Sequence, residues 1–474
     1  MYVAAFDLLP RSDLNLKMTT MMADRDLRIT DQLILSCQQN CLPSTKTRLQ
    51  HKTTAFTRVE SECTFGLDHH TRYWWEASGY ALAVLLSRAG YSEHGQENIL
   101  RFFRAITPVL GPAYVPGRQR WKSFMTDNHN PIELSWDWRV GDQSPKIRFS
   151  IEPVGVSAGT HVDPENIIAG VMLKGLMMQL LPQTDIAWLE HFQRKLNGDD
   201  LAGLYENHPS KEFYAFDLNE SGIVSKAYFF PGIKARAEGC SIFEIISDAI
   251  ETAPGSTSDK LQGLEIFQEY VQDPSTPSLD INMLAIDLVQ STDPRFKIYF
   301  RNRSTSFQSI KDTICLGRRI CDPNIEHGIK HLRLFYRSLL GIGEGISDDD
   351  QLPDVDHPTA GILYNVEFRY GSKQPHIKVY LPIRHYAPSE DGVLSALHSH
   401  MSRFRKNPSA PMYMTQYTDA IRTLFAPGST SLRRGLHTYV ACSIEPGAEL
   451  RVVSYINPYQ VNPNLSPPLP AAMG

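Results

Sequence analysis

LDINMLAIDLV (279–289) and FKIYFRNR (296–303) alternate apolar and polar residues, the pattern of two β-strands with distinct faces. In a strand, residues two apart share a face, so Arg295, Lys297 and Tyr299 project together. Just before them, SIFEIISDAI (241–250) and KLQGLEIFQEYV (260–271) have helical apolar spacing, and Ser241 with Glu244 has the spacing of a capping box. The unit is two helices followed by a hairpin.

Outward from this stretch the unit recurs. Toward the N-terminus, helical segments near 164–181 and 184–196 precede strands FYAFDL and IVSKAYFF, joined by the turn-like NESG. Before them, YWWEASGYALAVLLSRAGY and QENILRFFRAITPVL precede IELSWDWRV and KIRFSIEPV. Toward the C-terminus, helices around 305–316 and 325–340 precede GILYNVEFRY and HIKVYLPIRH, and helices around 390–405 and 411–425 precede GLHTYVACSI and ELRVVSYINP. Five hairpins give ten strands. Their economical solution is an α+β fold, a ten-stranded antiparallel barrel ringed by helices, with a lumen too wide for side chains to fill. The barrel is expected over 61–460, with a flexible N-terminal extension over 1–60 and a disordered, proline-rich tail over 461–474.

The second strand of each hairpin carries a basic residue: Arg148, Lys226, Lys297, Lys378 and Arg451, at spacings of 78, 71, 81 and 73. Three of these strands read Lys-x-Tyr, giving Tyr228, Tyr299 and Tyr380, and the last places Tyr455 four residues after Arg451. Facing inward, they form a ring of cations beside a ring of phenols. Converging cations in a low-dielectric cavity repel one another unless an anion sits among them, and a diphosphate matches in charge and acceptor geometry. Tyrosine faces stabilise a carbocation without trapping it. The ligand expected is therefore an allylic diphosphate. Glu133, on the first strand in PIELSWDW, is placed to accept a hydrogen bond from a ring N–H or hydroxyl of an aromatic acceptor.

Other features exclude alternatives. A formal net charge of −5 offers no basic excess for nucleic acid, and no run of about 18 apolar residues is present to span a membrane. The start lacks a secretory pattern, so a cytoplasmic protein with reduced thiols is expected from its seven cysteines. SDDDQLPDVDH (347–357) lacks Asp-Asp-x-x-Asp spacing and reads as a polar loop, and GIGEGIS (341–347) reads as a helix terminator. His69 and His70 have no evident metal partner. No metal site and no cofactor are expected.

SFMTDNHNPIELSW (123–136), KAYFFPGIKA (226–235), ARAEGCSIFEIISDAI (235–250), RFKIYF (295–300) and HLRLFYRSLLG (331–341) resemble the fungal aromatic prenyltransferases of the dimethylallyltryptophan synthase family, over about residues 70–460. The resemblance implies an ABBA-type barrel, dimethylallyl diphosphate as donor and a small aromatic acceptor. It assigns Arg148, Lys226, Arg295 and Lys297 to the diphosphate, together with Lys378, where some members have Gln, and Arg451. Tyr228, Tyr299, Tyr380, Tyr455 and Tyr459 match the tyrosine shield, and Glu133 matches the residue that holds the indole N–H. A lysine assisting deprotonation in some members has no match, Lys211 being slightly out of position. The implied reaction is metal-independent prenylation of an indole-containing secondary metabolite, with an indole diterpene among the candidates. A phenolic polycycle as acceptor and a non-catalytic prenyl-diphosphate-binding barrel are the alternatives, the carrier disfavoured by the tyrosines. A homodimer is compatible with the sequence.

Overall fold

The computed structural model describes residues 52–62, 67–115, 117–198, 208–290, 292–320, 322–404, 407–426, 432 and 434–458. The ten strands are β1 Ile132–Asp137, β2 Lys146–Ile151, β3 Glu212–Asn219, β4 Gly222–Phe229, β5 Asp280–Asp287, β6 Arg295–Asn302, β7 Ile362–Arg369, β8 His376–Leu381, β9 His437–Ile444 and β10 Leu450–Ile456. Each pairs antiparallel with its neighbours in chain order, and β10 closes onto β1.

Period-two alternation divides the apolar residues into two cores. Outward residues such as Leu134, Trp136, Phe149, Phe216, Phe229 and Phe296 pack beneath the helices in one large cluster. Inward residues Phe213, Met283, Ala285, Tyr299, Leu363, Tyr380, Ala441 and Val453 form a separate cluster within the lumen. Helices approach the barrel closely where glycine allows it. A Cβ on Gly328, in the helix Pro323–Leu340, would lie 2.3 Å from Ile444 Cγ2, and one on Gly263, in Gln262–Gln272, 2.6 Å from Phe368 Cβ.

Local signals act as the sequence implies. Ser241 and Glu244 form the reciprocal capping box. Gly341, left-handed at φ 65°, ends the helix Pro323–Leu340, and Asp348 in the following acidic loop pairs with Arg333 and Arg337. His70 Nδ1 accepts the Ala113 N–H at 2.9 Å.

Two boundaries differ from expectation. A helix over Thr54–Ser61 buries Ala55, Phe56 and Val59, with Phe56 stacked 4.5 Å from Trp75, so the folded unit begins by residue 53 and not at 61. β8 ends at Leu381, where Pro382 removes a ladder donor and the chain turns into the short helix Ile383–Tyr386. The remainder of the expected extension, residues 1–51, and the tail 461–474 lie outside the described residues. No described helix is long and apolar enough to cross a membrane.

Candidate active site

All even strands run in one direction round the barrel, so each Lys-x-Tyr places its tyrosine on the same side of its lysine. The lumen is therefore layered. Cations lie toward the N-terminal ends of the even strands, and tyrosines toward their C-terminal ends.

Arg148, Lys226, Arg295, Lys297, Lys378 and Arg451 all project into the first layer. Interleaved with them are four carboxylates that the sequence reading did not single out: Asp137, Asp217, Asp287 and Glu367. Arg148 contacts Asp137 at 2.5 Å and Asp217 at 2.7 Å, and Lys226 meets Asp217 at 2.8 Å. Arg295 meets Asp287 at 2.8 Å and Glu367 at 3.4 Å, Lys297 meets Glu367 at 3.3 Å, and Arg451 meets Asp137 at 2.5 Å. Lys378 has no carboxylate within 4.0 Å among the described residues; its Nζ lies 5.2 Å from the Tyr380 ring centroid and 6.0 Å from that of Tyr455.

The repulsion expected among the cations is thus offset in part by these carboxylates, without a bound anion. Among these ten residues the cations outnumber the carboxylates by two, and Lys146, on the same face of β2 as Arg148, adds a further amine beside Asp217. Burial by itself would raise Asp137 and Asp217, but Arg148, with Arg451 or Lys226, holds both well below the usual carboxylate range. Burial, followed by Arg295, pulls Lys297 down to about 8; burial, followed by Arg451 and Arg148, pulls Lys378 down well below its usual value. An arriving polyanion would reverse both shifts.

The carboxylates had a sequence signal. Each sits near the end of the first strand of its hairpin, at spacings of 80, 70 and 80.

Beyond the cations the tyrosines form a continuous arc. Ring centroids are 5.9 Å apart for Tyr228–Tyr299, 5.9 Å for Tyr299–Tyr380 and 5.8 Å for Tyr380–Tyr455. Burial raises all four phenols, keeping them neutral. Tyr439, which the sequence reading left unassigned, extends the arc 6.3 Å from Tyr380. Tyr459 lies outside the described residues.

Glu133, the second residue of β1, lies on the inner face, at the tyrosine end. Thr438 donates to its Oε1 at 2.5 Å, and burial pushes its carboxyl up to about 8. Lys211 pairs with Glu165 at 2.5 Å, while Phe213 occupies the lumen face two residues on and stacks 4.2 Å from Tyr228. β3 itself carries no lysine, and Lys211, just before it, is engaged by Glu165.

The segment Ser123–Asn130 crosses this end of the lumen. Buried Glu152 fixes one side, accepting from Trp121 Nε1 at 2.7 Å, Ser123 Oγ at 2.5 Å and the Phe124 N–H at 3.0 Å. Phe124 then packs against Phe230, 4.5 Å away, and His208, 4.6 Å away. On the far side Asp127 binds the Arg384 guanidinium. Asp127, His357 and His385 bring ligand atoms within 4.8 Å of one another, but Arg384 already engages the carboxylate and the Thr359 hydroxyl bridges both imidazoles at 2.8 and 2.7 Å. That donor set is committed within the protein. A cavity of about 110 Å³ lined by Trp74, Leu110, Tyr114, Trp121, His129 and Val154 lies outside the barrel strands.

A family model described as tryptophan dimethylallyltransferase matches residues 70–416. Among curated proteins, the chain is 31% identical over 398 residues to a 4-O-dimethylallyl-L-tyrosine synthase of Claviceps purpurea, covering 82% of this chain and 88% of that protein. It is 29% identical to a 7-dimethylallyltryptophan synthase of Aspergillus fumigatus, covering 82% and 85%. Among solved structures, NotF in complex with brevianamide F and DMSPP aligns with a TM-score of 0.71 at 22% identity, over 86% of this chain and 98% of that one. The layered lumen and these matches together place the chain in the tryptophan dimethylallyltransferase family, as an aromatic prenyltransferase with the ten-stranded barrel of that family.

Proposed function

We propose that the chain transfers a dimethylallyl group from dimethylallyl diphosphate to a ring carbon of an indole-containing acceptor without a metal ion. The observation that carries this reading is the cation layer stacked on a tyrosine arc, with Glu133 at the arc's far side. Arg148, Lys226, Arg295, Lys297, Lys378 and Arg451 bind the diphosphate and supply the positive charge that a metal would otherwise bring. The allylic C–O bond breaks with its electron pair leaving on the diphosphate. Tyr228, Tyr299, Tyr380 and Tyr455 cover the resulting cation with ring faces. Glu133 holds the acceptor N–H, a ring carbon forms the new C–C bond, and loss of the proton from that carbon restores aromaticity.

A second reading keeps the donor and replaces indole by a phenol. It is favoured by the relative named as a tyrosine O-dimethylallyl synthase and by Glu133, whose raised affinity for protons suits a base for a phenolic hydroxyl. The test is incubation with dimethylallyl diphosphate and EDTA against a panel of indoles and phenols, read by mass spectrometry. A C5 product supports transfer and names the acceptor. Donor binding without any product favours a carrier, and activity that needs added Mg²⁺ sinks the metal-free mechanism.

A further inference from the structure

We propose that Thr438 is a positioning residue for Glu133, turned into the lumen by a β-bulge that Glu390, His437 and Tyr417 hold from outside the barrel; this rests on the acceptor-binding role read for Glu133 above. Pairing of β9 with β10 sets Ala441 opposite Val453 and Val440 opposite Ser454, then resumes with His437 opposite Ile456. Three steps along β9 match two along β10, so Thr438 and Tyr439 together face Tyr455. Strict alternation from the lumen-facing Ala441 would put Tyr439 and His437 inside and Thr438 outside. The bulge changes this. Tyr439 still meets the Tyr380 ring in the lumen, but Thr438 also points inward and donates to Glu133 Oε1, while His437 turns out to the helices.

The outward side holds that parity. Glu390, the first residue of the helix Glu390–Phe404, accepts on Oε1 the N–H groups of Gly435, Leu436 and His437, at 2.9, 2.9 and 3.3 Å. Its Oε2 lies 2.5 Å from His437 Nδ1; a carboxylate only accepts, so the ring proton sits there, and Nε2 accepts the Tyr417 hydroxyl at 2.7 Å. All three side chains are buried. A buried carboxylate is costly unless hydrogen-bonded, and the bonds of Glu390 converge on the residues that lead into the bulge.

On the lumen side, Thr438 occupies one oxygen of Glu133 and leaves Oε2 for an acceptor N–H or O–H. Burial raises the Glu133 carboxyl and this hydrogen bond opposes the rise, with no other charged group acting on it among the described residues. Facing it are Ser150, directly opposite on β2, and on β10 the Tyr455 phenol, itself raised by burial. Glu152, past the end of β2, is spent on Trp121, Ser123 and Phe124.

The test compares Thr438→Val, which keeps the shape and removes the hydroxyl, with Thr438→Ser, which restores it, in the full chain. Thr438→Val is expected to lower kcat/KM for an indole or phenol acceptor by on the order of tenfold to a hundredfold near neutral pH. It should also move the rising limb near pH 8 upward, and Thr438→Ser should bring both back toward wild type. The melting gap between wild type and Thr438→Val should be level below about pH 8 and widen above it, since the variant carboxyl ionises later; in a Glu133→Gln background the widening should vanish. An unmoved limb together with a level gap overturns the proposal and leaves prenyl transfer intact. A widening gap, with turnover indifferent to both Thr438→Val and Glu133→Gln, supports the hold on Glu133 and sinks its acceptor-binding role. Tyr417→Phe tests the outer array. It should move the limb the same way by less, and adding it to Thr438→Val should move the limb no further; an additive effect overturns the array's part. Melting and donor titration of each variant report whether it has folded.

Discussion

Lys378 Nζ lies 5.2 Å from the centroid of the Tyr380 ring and forms no ion pair with any described carboxylate, although it is enclosed within the charged layer. Its neighbours Arg148, Arg295, Arg451, Lys226 and Lys297 each have at least one. Lys378 joins the two layers, as a cation of one that forms no ion pair among the described residues and a partner of the tyrosine faces of the other.

Lys378→Gln should therefore melt higher than wild type without donor, because it removes a lysine whose ionisation is opposed in the folded protein by burial, Arg451 and Arg148. Its donor KM should rise roughly tenfold to a hundredfold. Burial, Arg451 and Arg148 depress the lysine, so an arriving diphosphate raises its affinity for protons. Calorimetry near pH 8 in buffers of different ionisation enthalpy should show proton uptake on donor binding in wild type and less uptake in the variant. Equal uptake in both would remove Lys378 from the donor site.

Tyr299 touches both Tyr228 and Tyr380 in the arc. Tyr299→Phe keeps the ring face and should keep most of kcat. Tyr299→Leu loses a cation–π contact of about 2 kcal/mol and should slow turnover roughly thirtyfold, with more dimethylallyl alcohol formed by water capture. Rate and alcohol-to-product ratio, measured together, test the shield; equal kinetics for the two variants would refute it.

Glu133 carries a folded-state pKa of about 8 against a reference of 4.5. Its stability contribution is fully present below pH 4.5 and is lost as pH rises through about 8. Glu133→Gln escapes that loss, so its melting temperature should gain on wild type across this window and the gain should level off above pH 8. Activity has the opposite sense. If the carboxylate holds the acceptor N–H or O–H, wild-type kcat/KM should climb through about pH 8, and the variant should lack that limb. The same limb in both would remove the proposed role.

Gly328→Ala places a methyl 2.3 Å from Ile444 Cγ2. Helix propensity alone would favour alanine by about 1 kcal/mol, whereas overpacking costs about 1–3 kcal/mol and should win. Denaturant unfolding should show net destabilisation. A more stable variant would mean that the helix Pro323–Leu340 can slide on the barrel.

Most of the architecture was legible because its signals are local. Five repeats of helix pair and hairpin, with strand alternation of period two, left little besides a closed antiparallel barrel for the apolar faces of the helices to cover. The boundary near residue 61 was missed because TAFTRVES is too short and too polar for its periodicity to stand out; tertiary burial of Phe56 against Trp75 stabilises that helix.

The site divided along the same line. Lys-x-Tyr determined by itself that Lys226 and Tyr228, Lys297 and Tyr299, and Lys378 and Tyr380 share one face, since side-chain parity in a strand is a property of neighbouring residues. Which side of the barrel wall that face meets, and that Asp137, Asp217, Asp287 and Glu367 enter the same layer, followed only when barrel closure brought adjacent strands into register. The acceptor end is more strongly a product of tertiary structure. Asp127 and Arg384 meet across the mouth, and Arg301 reaches Tyr439 across the lumen rim. These contacts join residues more than a hundred positions apart through loops of irregular length, where no sequence period specifies which side chains converge.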